Sequence, residues 1–135
     1  MTTTMSPAAA VAAEFFRRFG AGDFDGVLEL FADNVDWDVP GAPEVPWTGR
    51  RRTRADIRAF LSTVAAEVRT REFTVDRVLA DGEHGVALGR FTHEVLRTGR
   101  AFSCGFALHI HVRDGRIDLY HMFEDSAAVA AAYRP

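Results

Sequence analysis

Residues 21–40 constrain the fold more than any other stretch, because two periodicities meet there without a spacer. Asp23 stands at an N-cap position and Val27, Leu28, Leu30 and Phe31 follow at helical spacing, which predicts a short amphipathic helix. After Asp33-Asn34 the pattern changes to alternation through Val35, Asp36, Trp37, Asp38 and Val39, and Pro40 removes a backbone donor and ends the run. A helix therefore hands over directly to a strand with one buried face.

Upstream, Ser6-Pro7 supplies an N-cap and an N1 proline, and Val11, Phe15, Phe16 and Phe19 form an apolar stripe up to Gly20, predicting a helix over 7–19. Downstream, 41–49 is a loop by its proline and glycine content, with Trp47 in need of a partner surface. Thr53-Arg54-Ala55-Asp56 is a capping box with aspartate in place of glutamate, and Ile57, Phe60, Leu61, Val64 and Val68 predict a helix over 54–69. Strands are expected over 72–79, 85–96, 101–112 and 116–123, with Asp81-Gly82, Thr98-Gly99 and Asp114-Gly115 as turns. Helices first and antiparallel strands later describe an α+β fold, three helices covering the concave face of a curved sheet. One domain over 7–135 and a flexible tail over 1–6 are expected.

With 135 residues, 47% of them hydrophobic, the chain can bury one continuous core. A net charge of −3 and a pI near 5.9 give no reason to expect nucleic acid, and the Arg50, Arg51, Arg52 and Arg54 cluster reads as a solvated loop and helix start. The single cysteine, Cys104, excludes an internal disulfide. The first residues lack the basic segment of a secretory signal and no run approaches the ~20 apolar residues of a membrane helix, so a cytoplasmic location is expected, with no membrane partner.

The turn at Arg113-Asp114-Gly115 decides which side chains of the last two strands share a face. A two-residue Asp-Gly turn pairs Arg113 with Arg116 and sets His109, His111, Asp118 and Tyr120 together. A three-residue loop pairs Val112 with Arg116 and sets Cys104, Phe106, Leu108, Ile110 and Val112 with Asp118, Tyr120, Met122 and Glu124. A slip of one residue flips every side chain, so the two geometries give opposite sites.

The Ala21-Gly22-Asp23 turn, the helix ending in Leu30-Phe31-Ala32-Asp33, Gly49-Arg50 before a helix, Leu79-Ala80-Asp81-Gly82 before a long strand, Arg113 to Ile117 at a late hairpin and Asp125 before a closing helix resemble the SnoaL-like and ketosteroid isomerase-like branch of the nuclear transport factor 2-like superfamily. The resemblance covers nearly the whole chain. It implies a cone-shaped sheet around a pocket, and a homodimer through the convex sheet face. It favours the second register, which would turn Arg90, Thr92 and Glu94 into the cavity and leave His109, His111 and His121 on the convex face. Fold does not fix activity, because the same cone hosts isomerases, cyclases, hydrolases, dehydratases and binding modules.

A ketosteroid isomerase needs a carboxylate base and two neutral acids for the enolate oxygen. The resemblance puts those positions on Val39, Phe15 and Leu108, all apolar, which argues against steroid isomerisation of that kind. Asp38, one residue from the base position, is expected to point the other way. Of the aspartate, arginine and aspartate set of limonene epoxide hydrolases, the arginine alone has a counterpart, Arg90; Thr92 and Met122 replace the others. Asp125 matches an aspartate of the SnoaL-like cyclases and is equally an N-cap. The remaining acid and base candidates are Asp118 and Glu124, with Arg90 and Tyr120 as polar anchors. Phe15, Phe19, Trp37, Val39, Trp47, Phe60, Thr92, Phe106, Leu108 and Met122 are the expected substrate-binding walls. No phosphate loop or nucleophile elbow is present, no cofactor is expected, and His109-x-His111 without a third ligand is a weak metal signal. The expected function is cofactor-free cyclisation, isomerisation, dehydration or epoxide opening on a small apolar or polycyclic ligand. The alternative is a non-catalytic binding or assembly module.

Overall fold

A computed structural model describes residues 6–134. Of the expected tail, 1–5 lie outside the described residues. Ser6 accepts a hydrogen bond from the Ala9 amide at 3.1 Å and starts α1 (Pro7–Gly20); Asp23 accepts from the Gly26 amide at 2.9 Å and starts α2 (Phe24–Glu29). The chain then enters β1 (Phe31–Val39) with one intervening residue, followed by β2 (Gly49–Thr53) and α3 (Arg54–Glu67), whose capping box is complete in both directions between Thr53 and Asp56. β3 (Val68–Asp81), β4 (His84–Val95), β5 (Ala101–Arg113) and β6 (Arg116–Glu124) follow, and α4 (Ser126–Tyr133) closes the order. Arg50 to Arg52, expected in a loop, form the edge strand β2; Arg54 donates to the Phe31 carbonyl and fixes the start of α3 against β1.

The curved, unclosed sheet has the order β2-β1-β6-β5-β4-β3. It is mixed rather than wholly antiparallel, since β1 runs parallel to β6 while every other neighbour is antiparallel. The two are far apart in sequence and no hairpin ties their directions. No helix among the described residues is long and apolar enough to cross a membrane.

The β5–β6 hairpin combines features of both expected geometries. Asp114 and Gly115, at φ of 52° and 76°, form a two-residue turn that pairs Arg113 with Arg116. After Val112 opposite Ile117 the next pair is His111 with Leu119, so Asp118 is one residue in excess, a β-bulge. From there Ile110 faces Tyr120, Leu108 faces Met122 and Phe106 faces Glu124, all on the concave side. The turn alone would have reversed this parity, and the bulge restores it.

Between β4 and β5 the register pairs odd with even numbers: Phe91 with Cys104 and His93 with Phe102. Gly85, Ala87, Gly89, Phe91, His93 and Val95 therefore line the concave side, and Arg90, Thr92 and Glu94 lie on the convex side, opposite to the expectation. α1 and α3 fill the concavity with Phe15, Ile57 and Leu61, which pack on Phe31, Trp37 and Tyr120.

Candidate functional site

A cavity opens where α1, α3 and the concave face of the sheet meet. Phe15, Phe16 and Phe19 come from α1, Val39 from β1, Phe60 and Val64 from α3, Phe73 from β3, Phe91 and His93 from β4, and Tyr120, Met122 and Glu124 from β6. Its free volume is about 50 Å³, room for a few waters. Aromatic rings form most of the wall: Phe73 is stacked on Phe91 with centroids 6.1 Å apart, and Phe16 and Phe19 lie 6.0 and 5.7 Å from Phe73.

Three polar side chains enter this apolar space. Burial pushes the Glu124 carboxyl up to about 7, against a smaller opposing effect from the Trp47 indole. Burial also pushes His93 down to about 4, so its imidazole is neutral at pH 7. The Thr70 hydroxyl and His93 Nδ1 are 3.1 Å apart, which leaves Nε2 for the cavity. Tyr120 is buried, lies parallel to the Trp37 indole with centroids 3.8 Å apart, and has its phenol pushed well above the ordinary range, so it remains a donor. One carboxyl near its midpoint and two neutral donors form a compact set for moving a proton.

Trp47 is carried by the loop after β1 and packs edge-on against Tyr133 of α4, centroids 5.6 Å apart, so loop and closing helix brace Glu124 together. Trp37 Nε1 and Arg51 Nε are buried without hydrogen-bond partners. Both side chains lie against Phe60, the Trp37 ring at 4.8 Å and the Arg51 guanidinium at 5.6 Å from its centroid, and the ring face is the acceptor within reach.

Of the residues singled out in sequence, Phe15, Phe19, Val39, Phe60, Tyr120, Met122 and Glu124 meet at this cavity. Trp37 backs Tyr120, Phe106 packs behind Phe73 and Phe91, and Leu108 lies deeper, beside Ala12 and Phe15. Three are elsewhere. Asp118 faces the convex side, where His111 Nδ1 donates to it at 2.6 Å. Arg90 is on the same side and pairs with Glu72 and Asp76, and Thr92 bonds Ser103 at 2.7 Å. The parity change at β4 moved the last two; the bulge moved Asp118. Asp38 pairs loosely with Arg50 on the convex side, and Asp125 caps α4 by accepting from the Ala128 amide at 3.1 Å.

His93 was not anticipated, and neither were Phe16, Val64, Phe73 and Phe91 as cavity residues. A signal for His93 existed: Phe91, His93 and Val95 alternate with Arg90, Thr92 and Glu94, and the polar set belongs outside.

A family profile described as a SnoaL-like domain matches residues 12–120. Among solved structures, an NTF2-like protein from Burkholderia xenovorans is 26% identical with a TM-score of 0.85, covering 98% of this chain and 100% of the other. An NTF2-like protein from Burkholderia pseudomallei is 23% identical with a TM-score of 0.88, covering 97% and 100%. TerC, co-crystallised with polyporic acid, is 24% identical with a TM-score of 0.80, covering 94% and 98%. At these identities the last two establish a common fold. No curated protein sequence matches closely enough to add to this.

Proposed function

The chain belongs to the SnoaL-like domain family, and from that premise we propose that its aromatic cavity is a cofactor-independent acid/base site for a bulky, largely apolar substrate, of the cyclase, isomerase, dehydratase or epoxide hydrolase kind. The observation that carries this reading is Glu124, a carboxyl held near neutrality inside an aromatic wall. At pH 7 it both accepts and returns a proton, while neutral His93 and Tyr120 donate hydrogen bonds to an oxygen that gains charge in the transition state. Low local polarity strengthens those bonds. Arg90, Asp118 and Thr92 have no part in it. The apolar side chains of Val39, Phe15 and Leu108 remain an argument against steroid isomerisation of the usual kind.

The test pairs turnover with titration. Wild-type protein is offered polycyclic enols, ketones and epoxides, with polyporic acid as first binding probe. Glu124→Gln is expected to abolish conversion of any accepted substrate while keeping affinity within a few-fold. Turnover unchanged in that variant sinks the reading.

One observation favours the alternative, a non-catalytic binding or assembly module: the cavity of about 50 Å³ is far below the roughly 300–1,000 Å³ of ligand pockets. A substrate would have to displace side chains, and Phe16, Phe19, Phe60, Val64, Phe73 and Met122 of the wall are only partly buried. The same reading includes a homodimer through the convex face. Leu88, Ala107 and Phe123 lie in one row across β4, β5 and β6, with Phe123 55% exposed, an apolar strip that a second copy would cover. Sedimentation of wild type against Phe123→Glu checks it, the variant being expected to shift to monomer.

A further inference from the structure

Four of the chain's five histidines stand in two adjacent rows on the convex face, His84 with His111 and His109 with His121, beyond the Leu88–Phe123 row and towards the turns. His109-x-His111 alone offers two imidazoles on one side of a strand. The pairing of β4 with β5 adds a third, because His84 lies directly opposite His111. His84 Nδ1 and His109 Nε2 are 3.0 Å apart, and the His84 and His111 ring centroids are 4.6 Å apart. Asp118, the bulged residue of β6, accepts the hydrogen bond from His111 Nδ1, leaving Nε2 free on the side of Glu83, whose Oε1 is 3.8 Å away. A carboxylate on the far nitrogen fixes the tautomer and raises basicity at the near one, the arrangement common behind metal-bound imidazoles.

We propose that His84, His109 and His111 form a convex-face binding site for a divalent first-row transition cation, Cu²⁺ or Ni²⁺, separate from the Glu124 cavity. Three imidazole donors suit Cu²⁺, Ni²⁺ and Zn²⁺, and the choice among them follows from the bite the pair would offer if, once the shared proton leaves and the rings turn toward the ion, it kept its hydrogen-bonded spacing of 3.0 Å. With metal–nitrogen bonds of about 2.0–2.1 Å, two nitrogens at that separation subtend roughly 90–95° at the ion. That is the angle of square-planar or tetragonal coordination, which suits Cu²⁺ and Ni²⁺, whereas tetrahedral Zn²⁺ would require the rings to open by a few tenths of an ångström. On loading, the proton lying between the two imidazoles moves to the other nitrogen of its ring, so both lone pairs face the ion and no charge is lost. Among the described residues no group of three His, Cys, Asp or Glu side chains is placed to hold a metal ion as it stands, so loading requires side-chain rotation. The ion binds the His84–His109 pair first and draws in His111 Nε2, with Glu83 or water completing the set. His121 is outside the site, its Nε2 donating to Asp36 at 3.0 Å and its ring 6.4 Å from that of His109.

Tag-free, full-length protein titrated calorimetrically with Cu²⁺, Ni²⁺, Zn²⁺ and Mg²⁺ tests this, together with the electron paramagnetic resonance spectrum of the Cu²⁺ form. One Cu²⁺ per chain is expected, with nitrogen hyperfine structure, affinity in the order Cu²⁺ over Ni²⁺ over Zn²⁺, and no Mg²⁺ binding. His84→Ala/His109→Ala should weaken Cu²⁺ binding by on the order of 100-fold, Asp118→Asn by about 10-fold or more, and His121→Gln should bind as wild type does. Circular dichroism checks that each variant is folded. Cu²⁺ affinity unchanged in the double variant, loss of binding in His121→Gln equal to that in the double variant, tighter binding of Zn²⁺ than of Cu²⁺, or a copper spectrum without imidazole nitrogen would each overturn the site.

Discussion

Glu124 and His93 face one cavity, and the same burial acts on them with opposite consequences. Glu124 binds its proton more tightly folded than unfolded, so its contribution is full below about pH 4.5 and is lost as pH rises through about 7. His93 binds its proton less tightly when folded, so its contribution is full above about pH 6.5 and is lost as pH falls through about 4. The two slopes oppose each other across their overlap, each worth roughly 3 kcal/mol at most. Glu124→Gln is expected to raise stability at pH 8, and to leave the His93 slope exposed as a steady rise in denaturation midpoint between pH 4 and 6.5. Urea denaturation across that range measures it. Trp47→Phe, which removes the indole N–H acting on Glu124, should push that carboxyl still higher, read from its ¹³C chemical shift against pH.

At the scale of elements, the last hairpin decides the site. Asp118 is the residue in excess between Ile117 and Leu119. Deleting it is expected to give an unbulged ladder with Tyr120, Met122 and Glu124 still facing inward and cooperative thermal unfolding retained. Inserting one residue after Leu119 turns all three outward and should abolish cooperative unfolding. Gly89 in the middle of β4 is a second control point. A Cβ there would come 2.2 Å from the Thr74 carbonyl and 2.7 Å from the Phe106 ring, so Gly89→Ala should cost about 2–4 kcal/mol in thermal denaturation. The helices were legible from their caps: Ser6, Asp23, Thr53 with Asp56, and Asp125 all make the bonds their positions announced. Strand parity was less legible. The Asp114-Gly115 turn was readable, but a bulge has no local marker, and Arg90 and Thr92 were expected in the cavity, whereas the pairing of Phe91 with Cys104 sets them on the convex side.

Across the whole molecule, the cone is filled more by phenylalanine than by empty space. A polycyclic ligand is expected to enter as α1 and its partly buried Phe16 and Phe19 yield, since β4, β5 and β6 are tied by long ladders. Saturating polyporic acid, if bound, is therefore expected to change amide hydrogen exchange in Pro7–Gly20 and to leave the middle of β5 unaltered. Uniform protection of both would count against α1 as the element that gives way.

By itself the sequence determined the helices, their caps, the strand segments other than the edge strand β2 and the resemblance to a SnoaL-like cone, because capping and periodicity are written within a few neighbouring residues. Its 21–40 segment also carried the apolar Val39 that argues against steroid isomerisation. Tertiary structure alone decided which carboxyl enters the cavity. Glu124 enters and Asp118 does not, His93 joins it, and three histidines gather on the opposite face, because one bulge and one odd-to-even pairing set the parity of whole strands, and each depends on contacts between residues far apart in the chain.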